Sequence, residues 1–279
     1  MKPMLAVTYD EGLLDPDAEI IIQPKYDGIR ALVSLNSDGS FNVVSRTGKP
    51  LVGLAGVMKF CTLKVLDLLQ EGATLDGELV LSRSCGKSVD FNELSGLVRR
   101  LDPSAESEKT ERLCYMIYDY IAPNADVTMD KRRYRLSMAD DMCVIAGTEA
   151  WPFEIPEYLD DYVKRGYEGI MVRTLDGVYE QGKRSKGLIK VKKFDSDEFP
   201  IIGAIEGKGK LAGKLGAFEV STPEGEKFAV KMATTDTELA AIWADKDSYM
   251  HEMLTVKFQG KSEKGIPRFP IGIAIRNYE

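Results

Sequence analysis

The chain has 279 residues, 44% of them hydrophobic and 29% charged, and 37 Lys+Arg stand against 44 Asp+Glu for a formal net charge of −7. This is the balance of a globular protein with room for two ordinary domains; it excludes disordered and fibrous classes, and no apolar run approaches the roughly 18 residues of a membrane span. A single histidine, His251, and the lack of a GxSxG elbow argue against a serine–histidine hydrolase, leaving lysine, carboxylates, arginine and metal as the chemical resources.

The first apolar run, Met1 to Val7, is too short for a secretory signal, so an intracellular, cytoplasmic setting is expected. Ile20-Ile21-Ile22 predicts a strand leading into Lys25. Ala31 to Leu35, then Asp38-Gly39, then Phe41 to Val44 is the pattern of a β-hairpin. Val57 to Leu69 has helical apolar spacing and stops near Gly72; strands are expected over Thr74–Leu81 and Leu113–Ile121. Helices are expected over Asp130–Ala146 and Glu157–Gly166, the latter running into a strand, Gly169–Arg173. The texture changes after Phe194. Asp195-Ser196-Asp197-Glu198 reads as a polar link, followed by short strands at Ile201–Glu206, Gly216–Ser221, Lys227–Met232, Leu254–Gln259 and Ile271–Arg276, with one helix at Thr237–Trp243. About five short strands and a helix suggest a small Greek-key barrel of the OB type. The expected organisation is α+β: residues 1–194, antiparallel sheets with helices, then a small OB-fold barrel at 195–279.

The four cysteines, Cys61, Cys85, Cys114 and Cys143, form no CxxC pair and read as reduced structural thiols. Basic residues cluster at Arg99-Arg100, Lys183-Arg184-Lys186, Lys190-Lys192-Lys193 and Lys208-Lys210-Lys214, against the acidic average. Any one cluster can be an ordinary solvated face.

The segment Lys25-Tyr26-Asp27-Gly28-Ile29-Arg30 puts a lysine at the end of an apolar strand, a glycine turn after it and an arginine beyond. Burial and a nearby cation favour the neutral amine, which can attack a nucleotide's α-phosphate. Alone, such a segment can be a charged hairpin end. It is followed in order by Ser45-Arg46-Thr47, Leu75-Asp76-Gly77-Glu78-Leu79-Val80, Tyr118-Asp119, Glu168-Gly169-Ile170-Met171-Val172-Arg173 and Leu188-Ile189-Lys190-Val191-Lys192.

In this order the segments resemble the motifs of the covalent nucleotidyltransferases: ATP-dependent DNA ligases, RNA ligases and mRNA capping enzymes. The Ser45 to Pro50 stretch, Arg268-Phe269-Pro270 and the ending Ile273-Ala274-Ile275-Arg276 are most similar to compact DNA ligases of viral or phage type. The resemblance implies an adenylation domain and an OB domain, without the large DNA-encircling N-terminal domain of replicative ligases. It implies a three-step nick-sealing reaction with ATP and Mg²⁺ or Mn²⁺, acting as a monomer on nicked duplex DNA and not on a membrane.

By the same resemblance Lys25 is the adenylated lysine, and Gln23 stands where the family reads the adenine amino group, through a side-chain or backbone carbonyl. Arg30 is implied at ribose or phosphate, Glu78 at ribose or metal, Tyr118 as the aromatic stacked on the base, and Glu168 as the metal carboxylate, with Glu78 or Asp27 assisting. Lys190 and Lys192 alternate on a strand, so both can face the α-phosphate. Arg46 is implied at the 5′-phosphate of the nick, and Arg276 at the pyrophosphate, the barrel swinging about a hinge at Phe194–Glu198. Arg268 has no settled role. Two departures stand out: Arg276 is followed by Asn277-Tyr278-Glu279 where an acidic–lysine ending is common, and Arg173 stands where lysine is more usual. A GTP-using capping enzyme, an RNA ligase, or a non-catalytic OB-type binding protein are the alternative readings.

Overall fold

The computed structural model describes residues 1–60, 63–82, 91–124, 126–139, 143–262 and 264–276. Cys61, Cys85 and Asn277-Tyr278-Glu279 lie outside them; Cys114 and Cys143 are half-buried and not joined in a disulfide. The chain divides into two compact units, Met1–Lys192 and Lys193–Glu279.

The first unit holds two sheets. One runs β1 (Leu5–Thr8), β9 (Arg184–Lys192), β8 (Gly169–Thr174), β2 (Ile20–Lys25), β7 (Thr148–Ala150). The other runs β4 (Phe41–Ser45), β3 (Ile29–Leu35), β5 (Thr74–Leu81), β6 (Leu113–Ile121). Pairing is antiparallel except that β1 joins β9 in parallel, so the first sheet is mixed.

Alternation along the strands sorts the side chains. In β2 and β9, Ile20, Ile22, Ile189 and Val191 pack against Ile155 and Tyr162 of α5 (Ile155–Lys164). That parity sends Gln23, Lys25, Lys190 and Lys192 to the other face. In the second sheet Ala31, Val33, Leu75 and Leu79 meet the apolar stripes of α1 (Leu63–Gln70) and α2 (Phe91–Arg99). Each such fully buried aliphatic side chain contributes roughly 1.5–3 kcal/mol. The opposite face carries Arg30, Leu32, Asp76 and Glu78. A small core of Met4, Leu32, Ile121, Tyr179 and Leu188 joins the two faces, so their polar residues look into one shared space. α3 (Glu106–Arg112) sends the buried Lys109 amine to the carbonyls of Val52 and Arg100, 2.5 Å each, tying the segment after the β4 turn to the end of α2.

One irregularity shapes the functional face. Asp76 pairs with Asp119 and Gly77 with Ile117, so Tyr118 is an extra residue in β6, a β-bulge. Regular alternation would send Tyr118 and Asp119 to opposite faces; the bulge turns both toward the other sheet.

Several expected boundaries move. The helix expected over Val57–Leu69 is a 3₁₀ turn, Ala55–Phe60, followed by α1. That expected over Asp130–Ala146 is only α4 (Met129–Ser137). Residues 140–142 of that expected helix lie outside the described residues, and Val144 bridges to β6 instead of continuing a helix: Ile117 N–H donates to Cys143 O and Ile145 N–H to Ile117 O, both at 2.7 Å. α5 starts two residues earlier than expected, with Pro156 in its first turn, where no N–H partner is needed. α2 and α3, rich in polar residues, had no expectation.

The second unit is a closed barrel, β10 (Asp195–Glu206), β11 (Leu215–Ser221), β12 (Lys227–Met232), β14 (Ile271–Arg276), β13 (Met253–Phe258), around Phe199, Ile201, Phe218, Val220, Val230 and Val256. α6 (Asp236–Ala244) opens with a Thr235–Glu238 capping box. The polar link expected at Asp195–Glu198 is overturned: these residues are paired with β13 from Phe258 to Thr255. Asp195, Ser196 and Asp197 are exposed, and only Lys193 and Phe194 separate β9 from β10.

Candidate active site

Between the two sheets of the first unit lies a cleft of about 1210 Å³. Gln23, Lys25, Arg30, Arg46, Glu78, Tyr118, Lys190 and Lys192 line it, as do Arg173 and Arg184.

At its floor, Lys25, Gly169 and Lys192 are register neighbours across β2, β8 and β9. A Cβ on Gly169 would fall 2.3 Å from Val191 O, so only glycine permits this close approach. Glu168, which immediately precedes β8, meets both lysines: one carboxylate oxygen accepts from Lys25 Nζ and the other pairs with Lys192 Nζ. Burial works against the charge of Glu168, but Lys25 and Lys192 more than offset it and hold its pKa below the usual range. Lys190, two residues before Lys192, has its pKa lowered by burial and by the neighbouring charges of Lys192, Arg184 and Lys25. Crowded cations with one shared carboxylate make a site that gains when a polyanion arrives.

The second sheet supplies the facing wall. Arg30 clasps Asp76 through Nε (2.8 Å) and Nη2 (2.5 Å), a two-pronged pair with a fully buried carboxylate. Burial opposes the Arg30 charge, yet Asp76 and Tyr118 carry its pKa well above the usual value. Glu78 is half-buried and accepts from Tyr118 Oη at 3.3 Å. Burial pushes its pKa up to about 7 despite Lys25 and Arg30. The Gly28 turn rests directly on it: a Cβ there would lie 2.5 Å from Glu78 Cγ. The Tyr118 ring has Arg30 and Arg173 guanidiniums 5.8 and 5.6 Å from its centroid.

Gln23 turns out to be structurally engaged. Its Nε2 donates to the carbonyls of Tyr118 (3.0 Å) and Ile145 (2.6 Å), and its Oε1 accepts from Arg173 Nε (2.8 Å). The Tyr118 carbonyl is the group a bulge leaves out of its ladder, and Gln23 satisfies it from the opposite sheet. A side-chain contact from Gln23 to a base would have to break these bonds. Arg46 is exposed on the tight turn Ser45–Gly48 at the rim. Arg276 belongs to the barrel, where its Nε donates to Thr255 Oγ1 at 3.3 Å. Arg268 lies beside Phe269 in the same unit, 5.8 Å from its ring centroid.

Asp76, Asp119, Arg132, Arg173 and Tyr179, residues without an expected role, support the cleft. Asp119, fully buried, accepts from Arg132 Nε (2.7 Å) and Arg173 Nη1 (2.6 Å), whose charges outweigh burial and lower its pKa. Arg132 also donates to Val127 O (2.5 Å), and Tyr179 Oη donates to Asp76 at 2.6 Å. Asp76 and Asp119 stand inside the motif segments, but their partners are distant in sequence and carried no signal.

Among the described residues there is no cluster of three or more Asp, Glu, His or Cys side chains that could hold an ion. Both Glu168 oxygens are committed to ammonium groups, and Glu78 is held toward its neutral form.

A cationic cleft with a lysine at its floor, followed by an OB barrel, defines a protein built to hold phosphates beside an amine. The family model described as "ATP dependent DNA ligase domain" matches residues 3–192, and "DNA ligase OB-like domain" matches 206–276. The chain belongs to the ATP-dependent DNA ligase family. It is 29% identical to DNA ligase 1 of Saccharomyces cerevisiae over 70% of this chain and 28% of that protein. It is 28% identical to the DNA ligase of Thermococcus fumicolans over 100% of this chain and 52% of that one. The chain thus spans about half, or less, of the length of these relatives. A solved structure described as "DNA binding with a minimal scaffold: Structure-function analysis of Lig E DNA ligases" matches with TM-score 0.77, 25% identity and 99% coverage of both chains. No described helix is long and apolar enough to cross a membrane.

Proposed function

We propose that this chain seals nicks in duplex DNA with ATP, through an AMP carried on Lys25. The observation that supports it best is the convergence of Lys25 and Lys192 on Glu168, opposite Arg30, Glu78 and Tyr118, in one cleft. The Lig E structure is described as binding DNA with a minimal scaffold, and the present chain has comparable extent.

In the first transfer the Lys25 amine, having released its ammonium proton to solvent, attacks the α-phosphorus. An N–P bond forms, the α–β P–O bond breaks, and pyrophosphate leaves. In the second, an oxygen of the nick's 5′-phosphate attacks the same phosphorus and Lys25 departs. In the third, the 3′-hydroxyl attacks the 5′-phosphorus, loses its proton, and AMP departs. All three need in-line placement and charge neutralisation more than a strong base. Lys190 and Lys192 neutralise the α-phosphate. Arg30 and Glu78 hold ribose and phosphate, the Tyr118 ring stacks on the base, the Gln23 main-chain carbonyl accepts from its amino group, and Arg46 meets the 5′-phosphate. Arg276 is assigned to the first transfer.

Mg²⁺ or Mn²⁺ is proposed to arrive on the nucleotide phosphates and not on a protein-built site; without nucleotide, a Mn²⁺ titration read by EPR should show no tight binding. One lysine per chain suffices for all three transfers, so an intracellular monomer is proposed, checked by sedimentation at assay concentration. Incubation with α-labelled ATP is the direct test. Wild-type protein should acquire an acid-labile AMP that it passes to a nicked DNA duplex, and Lys25→Ala should acquire none. Label on Lys25→Ala, no label on the wild type, or preferential use of GTP or nicked RNA would sink the reading.

A further inference from the structure

Arg30 presents its guanidinium to the cleft, but what aims it lies behind. Nε and Nη2 are both bound to Asp76, so the plane of the guanidinium follows the plane of that carboxylate. A carboxylate turns readily about its last torsion. Asp76 is 0% exposed, and its Oδ2 takes a second bond, from Tyr179 Oη at 2.6 Å.

Tyr179 is itself fixed on every side. Its hydroxyl accepts from Met4 N–H at 3.1 Å, which leaves the single hydroxyl proton for Asp76. Its ring packs with Met4, Leu32, Ile121 and Leu188, and Arg132 lies 5.7 Å from the ring centroid. Arg132 is in turn pinned by Asp119 and by the carbonyls of Val127 and Gly177. Tyr179 does not line the cleft. It lies between β8 and β9, on the connection within the sheet that carries Lys25, Lys190 and Lys192. Asp76 and Arg30 belong to the opposite sheet. The hydroxyl therefore crosses from one wall to the guanidinium of the other.

We propose that Tyr179 is a positioning residue that sets the orientation of Arg30 through Asp76, and so the spacing between Arg30 and the Lys25 floor. This rests on the nucleotide-transfer reading for its kinetic consequence, but not for its structural one. Removal of the hydroxyl leaves Asp76 held by Arg30 alone and leaves the Met4 amide without its acceptor.

Tyr179→Phe keeps the ring and deletes the bond. Two measurements on the full chain decide the matter. Solvent exchange of the Arg30 Nε–H, followed by nitrogen-resolved NMR without nucleotide, should be slow in the wild type and clearly faster in Tyr179→Phe. The rate of Lys25 labelling, well below the melting temperature, should fall by about tenfold, as expected when one group of a site is mis-aimed. In an Arg30→Ala background the same Tyr179→Phe change should cost nothing more, because its effect runs through Arg30. Unchanged Arg30 exchange, wild-type labelling, or a full extra tenfold loss on top of Arg30→Ala would overturn the proposal. If Tyr179→Phe does not fold, Asp76→Asn must reproduce both effects. A wild type that takes no label fails the nucleotide reading, while the exchange measurement still decides the role of Tyr179.

Discussion

The first unit contains two clusters of the same ingredients, arginine or lysine on carboxylate, built to opposite ends. At Asp119 both oxygens and the surrounding guanidiniums of Arg132 and Arg173 are sealed from water, with side-chain exposures of 0%, 1% and 2%. At Glu168 the partners are ammonium groups, and Lys25, Glu168 and Lys192 keep 21%, 20% and 17% of their side chains exposed. Breaking one partner of a sealed pair strands a buried charge, whereas a partly exposed pair on the floor of a cleft is one an incoming phosphate can exchange. The first cluster holds the walls, and the second is available for chemistry.

The largest effect should come from breaking the sealed cluster. Asp119→Ala strands two buried guanidiniums and should cost about 3–5 kcal/mol in denaturant unfolding, a large fraction of an ordinary domain's stability. Lys25→Ala should lose all AMP transfer but cost clearly less stability than Asp119→Ala, since the pair it breaks keeps 21% and 20% of its side chains exposed and Glu168 keeps Lys192. Comparable losses of stability in both variants would dissolve the distinction between the clusters.

A pH series tests the wall opposite. Glu78 has its pKa pushed up to about 7 by burial, against an ordinary 4.5. Below about 4.5 folded and unfolded chains both carry the proton. Between about 4.5 and 7 the unfolded chain has ionised and the folded one has not, so this group's contribution to stability falls as pH rises through that window. Melting temperature measured against pH should lose that component in Glu78→Gln, and AMP transfer should show an inflection near 7 in the wild type only. The smallest effect is expected at the exposed Lys261–Asp197 pair of the barrel, 44% and 53% exposed, where Lys261→Ala should cost under about 1 kcal/mol and vanish in high salt.

The sequence showed the open cluster far better than the sealed one. Lys25, Arg30, Glu78, Glu168, Lys190 and Lys192 fall in short contiguous segments whose order along the chain carries the family resemblance. Parity alone put both late lysines on one face. Asp119 was visible, but its partners are 13 and 54 residues away, and nothing local announces such pairings. The resemblance placed Gln23 at the adenine; its side-chain bonds to Tyr118, Ile145 and Arg173 come from residues 95, 122 and 150 positions away, which no local pattern announces. Val144 and Ile145 mimicked the end of an amphipathic helix and are instead an extended segment beside Ile117. Asp195 to Glu198 mimicked a linker because Asp195, Ser196 and Asp197 are exposed although successive side chains point to opposite faces, so this end of the strand has no apolar alternation to display. α2 was readable in Leu94, Leu97 and Val98, an i, i+3, i+4 triplet that went unused.

Tyr118 also bears on what changes this gene can accept. Strand β6 holds one residue more than its ladder needs, and the surplus is the ring in the cleft. Deleting that one codon would leave every paired neighbour in place and straighten the strand. It would also remove the aromatic wall and the carbonyl that Gln23 serves. Selection for a sturdier sheet and selection for a working cleft therefore pull in opposite directions at this one position, and the sheet has given way.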